Sequence, residues 1–205
     1  QMQYKRCPYH GWEARHTSDD WLPFDQSRGF GGKEYHAIFK TLLQVPSAWS
    51  GRKVRLKVET GAQDIWNFNN PQFLVYLDDK LTCGLDVRHT EVELPGRQEV
   101  ELVLYTYVSS AKQDVFLDIS MYPVNEALEA FVCDLALAYE TALTVEWQSE
   151  AYLVLSNACV EAVKAVDFSS REALQNASML SKARTVLSKA LTCGTALSSA
   201  RVAVV

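Results

Sequence analysis

The run Val115-Phe116-Leu117-Asp118-Ile119-Ser120-Met121-Tyr122 ends at Pro123, and Leu128, Phe131, Val132, Leu135, Tyr139 and Ala142 then recur on one helical stripe. The chain changes its period there. Period-two, β-branched and aromatic runs describe half-buried strands, and a three-to-four spacing describes amphipathic helices. One proline thus separates a β half from an α half, and the fold class follows as α+β.

On the N-terminal side, Tyr35 to Leu43 is aromatic and aliphatic, and a turn over Pro46-Ser47-Ala48-Trp49-Ser50-Gly51 follows it. Val54, Leu56 and Val58 then alternate with Arg55 and Lys57. Further strands are predicted over Gln72 to Leu77, Val87 to Leu94, Glu99 to Tyr107 and Val115 to Tyr122. Asp78-Asp79-Lys80, Pro95-Gly96-Arg97 and Ser109-Ser110-Ala111-Lys112 supply turn chemistry between them. Short strands at this spacing, with no helical pattern between them, predict an antiparallel β-sandwich or jelly roll over residues 1–123. A parallel sheet would need crossover helices, which this half lacks.

On the C-terminal side, Tyr152, Leu155, Cys159, Ala162, Val163 and Val166 form a second stripe, and Ala173, Ala177, Leu180, Leu187 and Leu191 a third. Ser149 is placed to cap the second helix. Ser169 with Glu172 reads as a capping box for the third, and Gly194 as its stop. A three-helix segment is therefore expected over residues 124–199. Ala200 to Val205 is an apolar, β-branched run of the kind that fills a buried parallel strand. It reads as the start of the first strand of a further domain, so the natural chain is expected to continue.

Composition narrows the function classes. Hydrophobic residues make up 48% and charged residues 22% of the 205, which is globular usage. The net charge of −5 argues against a nucleic-acid partner, which needs clustered Lys and Arg. No apolar run approaches the ~20 residues that span a bilayer, so no membrane role is expected. Cys7, Cys83, Cys133, Cys159 and Cys193 are odd in number and lack a C-x-x-C pair. They read as reduced thiols of a cytoplasmic protein. No apolar leader opens the chain, and the sequon Asn176-Ala177-Ser178 falls inside a helical pattern.

The search for chemistry yields no catalytic and no metal-ligating residue. Walker, G-x-S-x-G, G-x-G-x-x-G and H-E-x-x-H patterns are missing. Gly29-Phe30-Gly31-Gly32 precedes a strand, not a helix, and reads as a loop. His36 and His89 fall on predicted strands and, like His10 and His16, lack metal-ligand spacing. Asp78-Asp79 and Asp19-Asp20 read as solvated turn formers. Rings of Trp12, Trp21 and Trp49 fall in predicted loops or strand ends and read as packing. Candidate contacts to carbohydrate or to an interface are Trp66, Asn67, Phe68 and Asn69, where rings and amides alternate as they do in sugar sites; packing is the competing reading.

Gly31-Gly32-Lys33-Glu34-Tyr35-His36-Ala37-Ile38-Phe39-Lys40 and Val45-Pro46-Ser47-Ala48-Trp49-Ser50-Gly51-Arg52-Lys53-Val54 resemble the N-terminal domain of glycoside hydrolase family 38 α-mannosidases of the bacterial and cytosolic-vacuolar type. Phe73 to Lys80 and Gly84 to Leu94 continue the likeness, and the helical half is similar to that family's connector. The resemblance runs from about Trp21 onward. The Pro-x-x-Trp-x-Gly strand pair is also similar to galactose-binding-like jelly rolls of β-galactosidases. Asp79 stands where the family usually has glycine, and Gln63 to Asn70 is longer than usual. The resemblance implies retaining hydrolysis of α-mannosides with a zinc-type ion and an Asp nucleophile, all on residues beyond Val205. No cofactor is expected in this chain. The expected role is a structural and assembly domain, partnered by the catalytic domain of the same polypeptide and by further copies in a homo-oligomer. The alternative is an accessory carbohydrate-binding module.

Overall fold

The structure is a computed structural model and describes residues 1–25, 27, 29–61, 71–109 and 115–192. The chain divides into two compact units, Gln1–Val124 and Asn125–Val205. The division falls one residue after the proline at which the sequence changes period.

The first unit is built from β1 (Gln3–Arg6), β2 (Leu22–Pro23), β3 (Tyr35–Gln44), β4 (Val54–Glu59), β5 (Gln72–Leu77), β6 (Lys80–Leu85), β7 (Glu91–Glu93), β8 (Glu99–Val108) and β9 (Asp118–Pro123). They form a six-stranded sheet ordered β2-β1-β3-β8-β5-β6 and a three-stranded sheet ordered β7-β4-β9. Every pairing is antiparallel. The longest ladder pairs β3 with β8, from Tyr35↔Val108 to Gln44↔Glu99. Alternation decides which side chains enter the core: Ala37, Phe39, Val75, Leu102 and Leu104 from the large sheet meet Val54, Leu56, Val58 and Val92 from the small one. Each such burial contributes about 1.5–3 kcal/mol for a Val, Leu or Phe. The polar positions of β4 face outward, where Arg55 faces Glu91 at 3.6 Å, and Lys53 just before the strand faces Glu93 at 3.1 Å.

Three sequence expectations need correction here. The strand predicted over Val87 to Leu94 shrinks to Glu91–Glu93. Asp86 Oδ1 accepts the backbone N–H groups of Arg88 and His89, each at 2.8 Å, and this turn diverts the backbone. His89 therefore sits in a turn, not on a strand. The last strand starts at Asp118, because Val115 instead forms an isolated bridge with Phe30. Three strands, β1, β2 and β6, carry too little alternation to be read from sequence; β6 is a largely exposed edge.

The second unit holds α1 (Glu126–Thr144), α2 (Glu150–Lys164) and α3 (Ala177–Thr192). Asn125 caps α1 by accepting the Leu128 N–H, and Ser149 caps α2 by accepting that of Tyr152. The box expected from Ser169 and Glu172 does not form: the Ser169 N–H donates to Asp167 Oδ1, and a 3-10 turn occupies Ala173–Gln175. Asn176 takes over as cap, accepting from the Met179 N–H. Phe131, Ala162, Val166, Leu180 and Leu187 fill the helical core beside the small residues Ala138 and Ala183. The expected stop at Gly194 and the run Ala200 to Val205 lie outside the described residues. No described helix is long and apolar enough to cross a membrane.

Candidate functional site

The α1 and α2 stripes are wider than a three-helix unit can cover. Phe131, Ala138, Leu155 and Ala162 turn inward and are buried. Val132, Tyr139 and Val163, on the flank of the same stripes, and Val160 beside them stay open, with Val132 at 52% and Tyr139 at 57% exposure. With Leu135 and Cys159 they line a groove of about 570 Å³ between the two helices. Lys164 at its rim is paired with Glu161 at 3.0 Å. The walls are almost wholly hydrocarbon, so what the groove offers is burial; burial raises the Cys159 thiol away from the thiolate, and Lys164 is paired.

The outer face of the six-stranded sheet carries the aromatic residues instead. A 3-10 turn over Gly11–His16 lies on it and sets Trp12 edge-on to Tyr105, 5.9 Å between centroids. His36 stacks against Tyr107 at 4.9 Å, and its Nδ1 lies 2.9 Å from the Tyr105 hydroxyl. Burial pushes the His36 ring below its ordinary value, so the neutral form fits this layer. The Arg15 guanidinium sits over Tyr76 at 4.3 Å, and Lys5 Nζ over Trp21 at 4.5 Å. Trp12 and Trp21 pack on this layer and Trp49 on the sandwich core, as packing rings do.

The residues singled out from sequence divide into three groups. Trp66, Asn67, Phe68 and Asn69 lie outside the described residues. Asp78 and Asp79 form the β5–β6 turn with their carboxylates engaged: Asp78 accepts the Glu101 N–H at 3.0 Å, and Asp79 accepts from Arg15 Nε at 2.9 Å. Burial pushes the Cys7, Cys83 and Cys159 thiols up, away from the reactive thiolate. Among the described residues no group of three His, Cys, Asp or Glu could hold a metal ion.

Neither a family model nor a curated protein matches this sequence.

The groove was half legible beforehand. Val132, Tyr139, Cys159 and Val163 all belong to the predicted stripes, but a stripe does not say which of its members a neighbour will cover. Val160 lies off the stripe and could be found only from the packing. Buried Lys5 had no sequence signal, since a lone lysine in a short polar strand resembles any exposed one.

Proposed function

We propose that this chain is a non-catalytic structural and assembly region of a metal-dependent, retaining α-mannosidase of glycoside hydrolase family 38, acting in the cytoplasm. The observation that carries the reading is the open apolar groove of α1 and α2, on a helical unit that follows a sandwich in the order the resemblance requires. A groove of this make-up is stabilised by docking, because covering Val132, Tyr139, Val160 and Val163 removes apolar area from water. Its occupant in this reading is the catalytic domain of the same polypeptide. The sandwich, of jelly-roll type, then serves as a rigid spacer and as a contact in a homo-oligomer.

The zinc ion of such an enzyme would be held by residues of the catalytic domain, and no described cluster of this chain supplies its ligands. What this chain contributes is burial and orientation, not a proton or a nucleophile.

The test assays the isolated chain and the full gene product side by side on a chromogenic α-mannoside with added zinc. The isolated chain is expected to be silent and the full product active. In the full product, Val163→Asp should lower the thermal midpoint and weaken activity. Turnover by the isolated chain, or a full product without mannosidase activity, ends this reading.

A further inference from the structure

A second surface, in the sandwich and independent of the helical groove, is built like a binding site. Across the outer face of the large sheet the register places Ile38, Tyr105, Leu74 and Gly84 in one row, and His36, Tyr107 and Gln72 in the next. Gly84 contributes no side chain on the edge strand. The row therefore falls away beside Leu74, and a cleft of about 370 Å³ opens, within the range of small-molecule sites. Leu74 and the Gly84 backbone lie along it, Tyr105 and Tyr107 wall it, and Gln72 and Asp86 stand at its rim.

Each wall has a defined chemistry. Tyr107 lies between His36 on β3 and Gln72 on β5. His36 stacks on it at an interplanar angle of 27°, which fixes the ring and leaves its other side toward the cleft. The Asp86 carboxylate is oriented by three bonds, all to Oδ1: the N–H groups of Arg88 and His89 at 2.8 Å, and His89 Nδ1 at 3.0 Å. Among the described residues Oδ2 has no partner, and neither has the exposed Gln72 amide. The site thus offers one fixed aromatic face, one carboxylate oxygen and one amide, and its described lining holds no Lys, Arg or His that would receive an anion.

We infer that this cleft binds a neutral pyranose unit, its C–H face on Tyr107 and its hydroxyls on Asp86 Oδ2 and the Gln72 amide. A pyranose has the required two-sidedness, an apolar ring face bordered by hydroxyl groups that both donate and accept. A quaternary ammonium also suits a ring beside a carboxylate, but such cations are held by several converging ring faces. Phe73 and Tyr105 are buried, so among the described lining residues only Tyr107 presents one here.

Gly84 makes the inference testable without harm to the fold. Its φ is not in the left-handed region, and a Cβ added there would meet only the Phe73 carbonyl oxygen, at an ordinary 3.7 Å. Gly84→Val therefore fills the cleft while suiting an edge strand. The full chain is titrated with methyl α-mannoside, methyl β-galactoside, methyl β-glucoside and choline, read by saturation-transfer NMR and calorimetry. At least one glycoside should bind. Tyr107→Ala should weaken it by about tenfold or more, and Gly84→Val should abolish binding with an unchanged circular dichroism spectrum. No glycoside binding, binding of choline alone, or glycoside binding that survives Gly84→Val overturns the inference. None of these results bears on mannosidase activity of the full gene product, so the two readings fail separately.

Discussion

Lys5 shows how much one buried side chain organises in this fold. The residue is 5% exposed, and among the described residues its ammonium pairs with no carboxylate. It donates instead to Thr17 Oγ1 at 2.5 Å, reaches the carbonyls of Thr17 and Asp19 at 3.4 and 3.5 Å, and lies over the Trp21 ring. A buried charge is tolerated only when such dipoles and a ring face replace its water. Lys5→Met keeps the stem and removes the donors, so it should cost about 1–3 kcal/mol in urea unfolding and alter the near-ultraviolet signal of Trp21. A loss inside about 0.5 kcal/mol would mean that the ammonium is dispensable. His36 is the second residue whose protonation the fold opposes. Its ordinary value is 6.5, and burial lowers it, with His10 adding to the effect and Glu34 opposing it. The unfolded chain accepts the proton more readily, so the stabilisation is complete above the unfolded value of about 6.5 and is lost as pH falls toward the folded one. The urea midpoint should therefore drop as pH falls below about 6.5. His36→Gln should flatten that part of the profile, and an unchanged slope would place the titration elsewhere.

At the scale of elements, the β5–β6 hairpin turns on two residues that both take left-handed backbone angles, Asp78 at φ 48° and Asp79 at φ 65°. Tight hairpins require this geometry, and an L side chain there costs about 1–2 kcal/mol relative to glycine. Asp79→Gly and Asp79→Ala lose the same exposed contact with Arg15, so their difference isolates the backbone. The glycine variant should be the more stable by about 1–2 kcal/mol in chemical denaturation, and equal stabilities would mean that the turn changes type. Asn125 is a cap with two duties, since it accepts from the Leu128 N–H and donates to the Leu174 carbonyl at 2.9 Å. Asn125→Asp should keep the first duty and lose the second, whereas Asn125→Ala should lose both and cost about 1–2 kcal/mol in thermal or urea melts. These elements also show what the sequence made legible. Strand β4 was readable because one face is buried and the alternation is strong, and β3, β5 and β8 because burial on both faces makes them runs of aromatic, aliphatic and β-branched residues. Edge strand β6 was not, because burial shapes little of Lys80–Leu85. The strand expected at Val87 failed because Asp86 bonds its own neighbours' backbone, a local competition that periodicity does not weigh. The cleft beside Gly84 could not be foreseen at all, because it depends on a glycine, an amide and a ring brought together from three strands by their register.

On the scale of the whole molecule, each unit draws its core from its own residues. The sandwich core runs from Met2 to Leu117, with Met121 packed against it, and the helical cores run from Phe131 to Ala190. The helical unit is the smaller and leaves Val132, Tyr139, Val160 and Val163 in water, so it gains less from burial per residue ordered. Unfolding of the chain should therefore occur in two steps. The far-ultraviolet helical signal should fade at lower denaturant than the near-ultraviolet signal of the sandwich aromatics Trp12, Trp21 and Trp49. Two substitutions give this scheme its internal control. Leu187 is fully buried in the helical core, and Leu187→Ala should move the first step alone, by about 2–5 kcal/mol. Val163 lies in the open groove, and Val163→Asp should move that step by less than about 0.5 kcal/mol in the isolated chain. The same Val163→Asp should be damaging once a partner covers the groove, because the carboxylate would then be buried without a counter-charge. A single coincident transition, or an isolated chain that Val163→Asp destabilises as strongly as Leu187→Ala does, would show that the groove is already covered and that the helical unit needs no further body to complete it.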